Sequence, residues 1–314
     1  MYIVRSPGTC GEFIQGSING QSFLVTCPIN RYSYAITDNS ASKIRLTSYT
    51  RQLLAKSQQA YKKASSLCAN QREISPIYWR SDIPQGKGMA SSSADISAIA
   101  MATSLACHHR LSNKELETIC LSIEPSDAAF YPGIIQFDYM QGRMAQPLGT
   151  CPPLKILIFD SGGMIDTIAF NRRKELPALI KEKEPYIKEA LTLFKKGLQA
   201  HDIGKIGEAA TISAFANQRI LYKPYLYRLH ELGKTYGSLG TIIAHSGTVS
   251  GLIFPESDKA NIAACKEEIL AELVSLTYLD LVETRMEGLT YAKFNDDEEF
   301  EASKWQKIEQ EVCR

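Results

Sequence analysis

The chain has 314 residues, 44% hydrophobic and 22% charged, which suits a globular protein large enough for two cores. Lys and Arg number 35 against 34 Asp and Glu, a formal charge of +1, so no basic face attracts nucleic acid or an anionic membrane and any anionic ligand must be held locally. No apolar run approaches membrane-spanning length and no signal-peptide pattern precedes residue 6, so a cytoplasmic protein is expected.

Residues 2–5, 12–16, 22–27, 31–37 and 43–47 read as strands separated by Gly, Asn and Asp turn signals, and Asn19-Gly20 is a hairpin signal. The run Ser6-Pro7-Gly8-Thr9-Cys10-Gly11-Glu12-Phe13-Ile14-Gln15-Gly16 therefore falls at the top of a sheet, where Gly11 and Gly16 allow a sharp backbone course. Residues 50–69 have helical composition and no chemistry assigned to them. Residues 73–80 read as a strand, ended by Pro84.

The next stretch organises the chain: Ile83-Pro84-Gln85-Gly86-Lys87-Gly88-Met89-Ala90-Ser91-Ser92-Ser93-Ala94-Asp95, between that strand and an Ala-rich helix predicted to be buried on most sides. It has the makings of a phosphate cradle. A helix start leaves N–H groups unpaired and carries the positive end of the helix dipole, so an anion is stabilised there. Gly86 and Gly88 let the backbone come close, Lys87 adds positive charge, and Ser91, Ser92 and Ser93 supply hydroxyls and the expected helix cap. The spacing is not that of a Walker A loop, because Gly88 follows Lys87 where Ser or Thr would be needed.

His108-His109 are expected to complement a helix C-terminus rather than bind metal, and Ser112-Asn113-Lys114-Glu115 opens a helix with a capping box. Glu124-Pro125-Ser126-Asp127 makes a turn, and residues 134–139 and 143–148 a hairpin around Gln141-Gly142. Cys151-Pro152-Pro153 is the expected boundary between domains 1–150 and 151–314. Beyond it come a strand at 154–160, three or four helices between 169 and 236, paired strands at 240–244 and 251–254, a helix at 257–274 and a strand at 276–284. The order βα…ββαβ fits a ferredoxin-like half. The last acidic tail is expected on the surface. The eight cysteines include no C-x-x-C pair, so reduced, mostly buried thiols are expected.

A Gly-Glu turn early, a Pro-x-x-x-Gly-x-x-Ser-Ser loop before a helix, and the late run Ala244-His245-Ser246-Gly247-Thr248-Val249-Ser250-Gly251 resemble, in that order, the GHMP small-molecule kinase superfamily. Within it the chain is most similar to the L-threonine kinase subfamily, through residues 87–96, Glu124-Pro125-Ser126-Asp127, Phe137-Asp138 and Gly207-Glu208-Ala209-Ala210-Thr211. The likeness spans most of the chain and weakens after Phe254. The first motif lacks the Arg and terminal His of the broader superfamily pattern.

The resemblance implies an α+β, two-domain GHMP kinase fold with a ribosomal-protein-like N-terminal half and a ferredoxin-like C-terminal half. It implies an ATP- and Mg2+-dependent transfer of phosphoryl to the hydroxyl of L-threonine, for the aminopropanol branch of cobalamin biosynthesis. Homoserine is the rival acceptor, and a silent ATP-binding sensor the rival role. By this likeness Pro84, Gly86, Lys87, Gly88, Met89, Ala90, Ser91, Ser92 and Ser93 hold the ATP phosphates, with Lys87 offsetting charge, and Asp127 faces the acceptor hydroxyl. Gly11, Glu12, Ser246, Gly247 and Thr248 admit substrate, and Mg2+ is held by Ser92 or Ser93 with Glu117 or Glu124, Glu117 being favoured. A small-molecule substrate is expected, without nucleic acid or membrane; oligomeric state is not indicated.

Overall fold

The computed structural model describes residues 2–37, 50–68, 76–165 and 167–293. The first half runs β1 (Tyr2–Ile18), β2 (Gln21–Thr37), α1 (Ala55–Ser66), β3 (Ile77–Ser81), α2 (Ser91–Ala106), α3 (Asn113–Leu121), β4 (Ile134–Phe137) and β5 (Ala145–Gly149). After Cys151-Pro152-Pro153 come β6 (Leu154–Asp160), α4 (Thr167–Asn171), α5 (Leu176–Glu182), α6 (Glu184–Ala200), α7 (Ile203–Ala216) and α8 (Leu226–Thr235). The chain then adds β7 (Gly240–Ile243), β8 (Val249–Pro255), α9 (Lys259–Glu272), β9 (Thr277–Glu283) and β10 (Thr290–Lys293). The expected strand at 43–47 and the acidic tail lie outside the described residues.

The strands form one sheet in the order β5-β4-β2-β1-β7-β8-β6-β9, with β3 added to β2 and β10 to β1. The four strands expected within residues 2–37 prove to be two of 17 residues each. Local turn signals there are absorbed as register shifts of β1 on β2 between Pro7 and Ile14, and such bulges turn side chains without breaking the pairing. Asn19 (φ 53°) and Gly20 (φ 76°) make the two-residue turn that joins them, as the sequence predicts. The sheet continues from one half to the other where Glu12 of β1 pairs with Ile243 of β7. β10 returns from the end of the second half to β1.

Helix α2 is buried at every position from Ser93 to Leu105, packed on β1, β2 and α1. Small residues allow this depth, and Ser97 Oγ ties it to Ser6 Oγ of β1 at 2.8 Å. The α3 capping box forms as expected. His108 and His109 lie just past α2; His108 closes the turn with φ 59°, and His109 faces Glu115 at 3.4 Å. Five α-helices, rather than three or four, fill the span between β6 and β7.

The cysteine expectation needs correction. The packing of α1 on α2 brings Cys68 and Cys107, at their C-terminal ends, to a Cα–Cα distance of 5.8 Å, where they form a disulfide. Cys10, Cys27, Cys120, Cys151 and Cys265 are free and buried. Among the described residues no helix is long and apolar enough to cross a membrane.

The three motifs meet main chain to main chain. Thr9 N–H donates to the Met89 carbonyl at 3.0 Å, and Thr248 and Val249 N–H both donate to the Lys87 carbonyl, at 3.0 and 3.3 Å. A Cβ on Gly88 would lie 2.5 Å from the Ala244 Cβ and 2.8 Å from the Gly247 Cα. Gly88→Ala is therefore expected to combine the left-handed penalty, about 1–2 kcal/mol, with overpacking of about 1–3 kcal/mol. Gly162 also has positive φ but open space around it, so Gly162→Ala should show only the first effect. Urea unfolding of both variants measures the difference; equal losses would mean that the junction is not closely packed.

Candidate active site

A cavity of about 540 Å³ opens where these motifs meet. One wall is the cradle, comprising Gly86 and Gly88 to Ser93. The predicted serine cap does not form. The N-cap is Ala90, in the left-handed conformation (φ 55°), and the three serines are the first residues of α2. Because the Ala94 N–H, bonded to the Ala90 carbonyl at 2.9 Å, makes the first intrahelical bond, the N–H groups of Ser91, Ser92 and Ser93 have no partner within the helix. The serine hydroxyls are left for other work. Ser93 Oγ accepts from Ser126 Oγ (3.0 Å) and from the Asp127 N–H (3.3 Å), which fixes the turn at 124–127 across the cavity.

On that turn Asp127 lines the cavity, and its Oδ1 is closed to water with no hydrogen-bond partner among the described residues. Burial first and Glu124 second push its carboxyl up to about 7. Glu12, aimed by the β1 bulges, lies in the same cavity; burial and then Asp127 raise its carboxyl well above the ordinary range. Glu124 is buried and paired with Lys56, from the first turn of α1. Lys56 is a cavity residue that sequence reasoning missed, since α1 carries no motif.

Several predicted residues stand elsewhere. Lys87 turns away from the cavity: its Nζ lies 2.6 Å from Asp160 Oδ2 and donates to the Gly163 carbonyl at 2.9 Å. Burial acts to raise the Asp160 carboxyl, yet hydrogen bonds, chiefly from Lys87, bring it below the usual range. Glu117 does not line the cavity either. It accepts from the Tyr131 hydroxyl at 2.7 Å and pairs with Lys114, so of the two candidate glutamates Glu124 is the one at the cradle. Pro84 is outside the lining, while Ser246 is part of it. Gly11 and Gly247 act through the backbone: a Cβ would come within 2.3 Å of the Ile243 oxygen at Gly11 and 2.2 Å of the Lys87 oxygen at Gly247. Thr248 contributes its N–H to the same junction. The buried Lys223 donates to the Gly247 carbonyl at 3.0 Å and steadies it from behind.

Helix start, carboxylate and third motif thus converge as in a phosphoryl-transfer site. Residues 52–133 match the family GHMP kinases N terminal domain, and residues 194–266 match GHMP kinases C terminal. The L-threonine kinase of Salmonella typhimurium is 31% identical over 267 residues, covering 85% of this chain and 87% of that protein. The chain belongs to the GHMP kinase family. Its fold is the α+β GHMP kinase fold, and its class of activity is that of a phosphotransferase. Among solved structures, the Methanococcus jannaschii mevalonate kinase superposes with a TM-score of 0.66 at 14% identity, over 91% of this chain and 98% of that one. The homoserine kinase from Cytophaga hutchinsonii gives 0.64 at 12% identity, over 92% and 96%. At such identity these two GHMP structures speak for the fold alone.

Asp127 titrates higher folded than unfolded, so folding favours its protonated form. That contribution is fully present at acid pH and is lost as pH rises through about 7. Asp127→Asn escapes the loss. Its melting temperature is expected to exceed that of the parent protein by a margin that widens from pH 4 to pH 8; thermal melts across that range would contradict the burial argument if no margin appeared at pH 8.

Proposed function

We propose that this GHMP kinase transfers the γ-phosphoryl group of ATP to the side-chain hydroxyl of L-threonine, giving O-phospho-L-threonine and ADP. The supporting observation is that one cavity is lined both by the start of α2, whose first N–H groups have no partner within the helix, and by Asp127, whose Oδ1 has no hydrogen-bond partner among the described residues. The identity to L-threonine kinases supports threonine as the acceptor. By the same likeness the product serves the aminopropanol branch of cobalamin biosynthesis.

The free N–H groups and the positive end of α2 fit a polyphosphate, and Gly86 and Gly88 leave room for its approach. Mg2+ would be carried in by the phosphates and held by one carboxylate and one hydroxyl. Glu124 and Ser92 would provide these, Ser93 being engaged with the Asp127 turn. Bound Mg2+ would neutralise phosphate charge. Asp127 would accept a hydrogen bond from the threonine hydroxyl and hold it in line; with a carboxyl near 7 it is also placed to take the proton. Lys87, held by Asp160, braces the cradle in this reading, and Lys56 keeps Glu124 in place.

ADP release from MgATP should be stimulated by L-threonine and not by L-serine, L-homoserine or mevalonate, assayed side by side. Selective stimulation by homoserine would keep the kinase and replace the acceptor. Asp127→Ala should lower kcat by at least roughly 100-fold with nucleotide affinity close to that of the parent protein; a near-normal kcat would remove Asp127 from the chemistry.

A further inference from the structure

Next to Asp127 the cavity wall carries a group that the phosphoryl-transfer reading does not use. His245, in the β7–β8 turn, is 5% exposed and lines the cavity. Its Nδ1 lies 2.9 Å from Gln15 Oε1. The Gln15 amide nitrogen faces the Ile243 carbonyl at 3.4 Å, so the reverse orientation of the amide would set oxygen against oxygen. Gln15 therefore presents an acceptor, His245 carries its proton on Nδ1, and Nε2 is left with a lone pair. Burial, then Lys183, hold the ring neutral, at about 3. Tyr139 and Phe170 meet it edge-on, with centroids at 5.1 and 5.3 Å, and prevent it from turning.

Nε2 has no hydrogen-bond partner among the described residues, and neither has Glu12 Oε2. Both are shut off from water, and a buried acceptor left unmade is costly. Both residues face a cavity whose other charged groups are Asp127, Glu124 and Lys56, the last already paired. Lys183, whose charge acts on Glu12, donates a hydrogen bond to Asn217 Oδ1 at 2.7 Å and does not line the cavity. Around His245 and Glu12 the wall offers two unpartnered acceptors, Nε2 and Oε2, in the same cavity as the carboxyls of Asp127 and Glu124, while the main-chain donors lie at the start of α2. A primary ammonium group has three donors, a positive charge and no acceptor, which is the complement.

We propose that His245 Nε2 and Glu12 form a subsite for a primary ammonium group on the acceptor, so that the site selects amino-bearing alcohols over hydroxy acids and polyols. This deepens the kinase reading above and rests on it. Gln15 is the positioning residue that fixes the His245 tautomer with its lone pair on Nε2.

The test pairs L-threonine with 3-hydroxybutanoate, which has the same hydroxyl and carboxylate but no ammonium. Unmodified enzyme should prefer threonine in kcat/KM by at least roughly 100-fold, since a site built around a polar group rejects the analogue lacking it. His245→Phe keeps an aromatic ring in place and loses the Nε2 acceptor together with the Nδ1 hydrogen bond to Gln15. It should raise the KM for threonine by roughly 10-fold or more, leave the KM for ATP unchanged, and narrow the preference by the same factor. Equal use of both alcohols by the unmodified enzyme, or an undiminished preference in His245→Phe, would overturn the subsite. Calorimetric binding of the two compounds to unmodified protein needs no variant, and must show the same preference. If homoserine proves to be the acceptor and is preferred over 4-hydroxybutanoate, the threonine reading fails while the ammonium subsite stands.

Discussion

One carbonyl oxygen, that of Lys87, sets the spacing on which the rest of the site depends. It accepts from Thr248 and Val249 N–H, and Gly247 rests so close to it that a Cβ would lie 2.2 Å away. Two loops far apart in the chain are thereby joined without any side chain between them. The joint fixes where α2 begins, because Gly88, Met89 and Ala90 lead directly from it into the helix. It also fixes His245 and Ser246, two and one residues before Gly247. β1 completes the arrangement through the Thr9–Met89 bond, and its bulges bring Glu12 into the cavity beside Ile243 and His245.

Charge is divided between the cavity and its supports. The carboxylates of Glu12, Asp127 and Glu124 face inward, while Lys87 and Lys183 are held one step back by Asp160 and Asn217. Positive potential inside comes mainly from main-chain N–H groups and the α2 dipole, neither of which can swing away or change protonation. An environment of this kind raises carboxyl pKa values by burial and like charge, and it favours ligands that bring their own cations. An amino-bearing acceptor and a metal-bound nucleotide both answer that description.

Features set by short-range chemistry were legible in the chain. The Asn19-Gly20 turn, the Ser112/Glu115 capping box and the strand at 154–160 form where their residues say, since each depends on neighbours within a few positions. The loop leading into α2 and the turn at 124–127 were legible as local structure. Other expectations failed where distant contacts override local preference. Ser91 to Ser93 have good capping chemistry, but the Gly88 junction forces Ala90 into the left-handed region and moves all three inside the helix. Glu117 projects from α3 as expected, and is then taken by Tyr131 and Lys114. Lys56 gave no signal of its own, because α1 carries no local pattern to betray its neighbours, and His245 was legible only as a member of the late motif, without a role.

By itself the sequence determined the residue types that chemistry needs: small residues where backbones touch, hydroxyls at a helix start, a carboxylate on a turn. Those requirements are intrinsic to each side chain and hold wherever the chain goes. Only the tertiary structure decided which charges face one another, that Cys68 meets Cys107, that Lys87 is spent on Asp160, and that among the described residues His245 Nε2 is left without a partner. Each of these is a relation between residues separated by tens to hundreds of positions. Burial, and the pKa values and hydrogen-bond demands that follow from it, exists only once the sheet has brought them together.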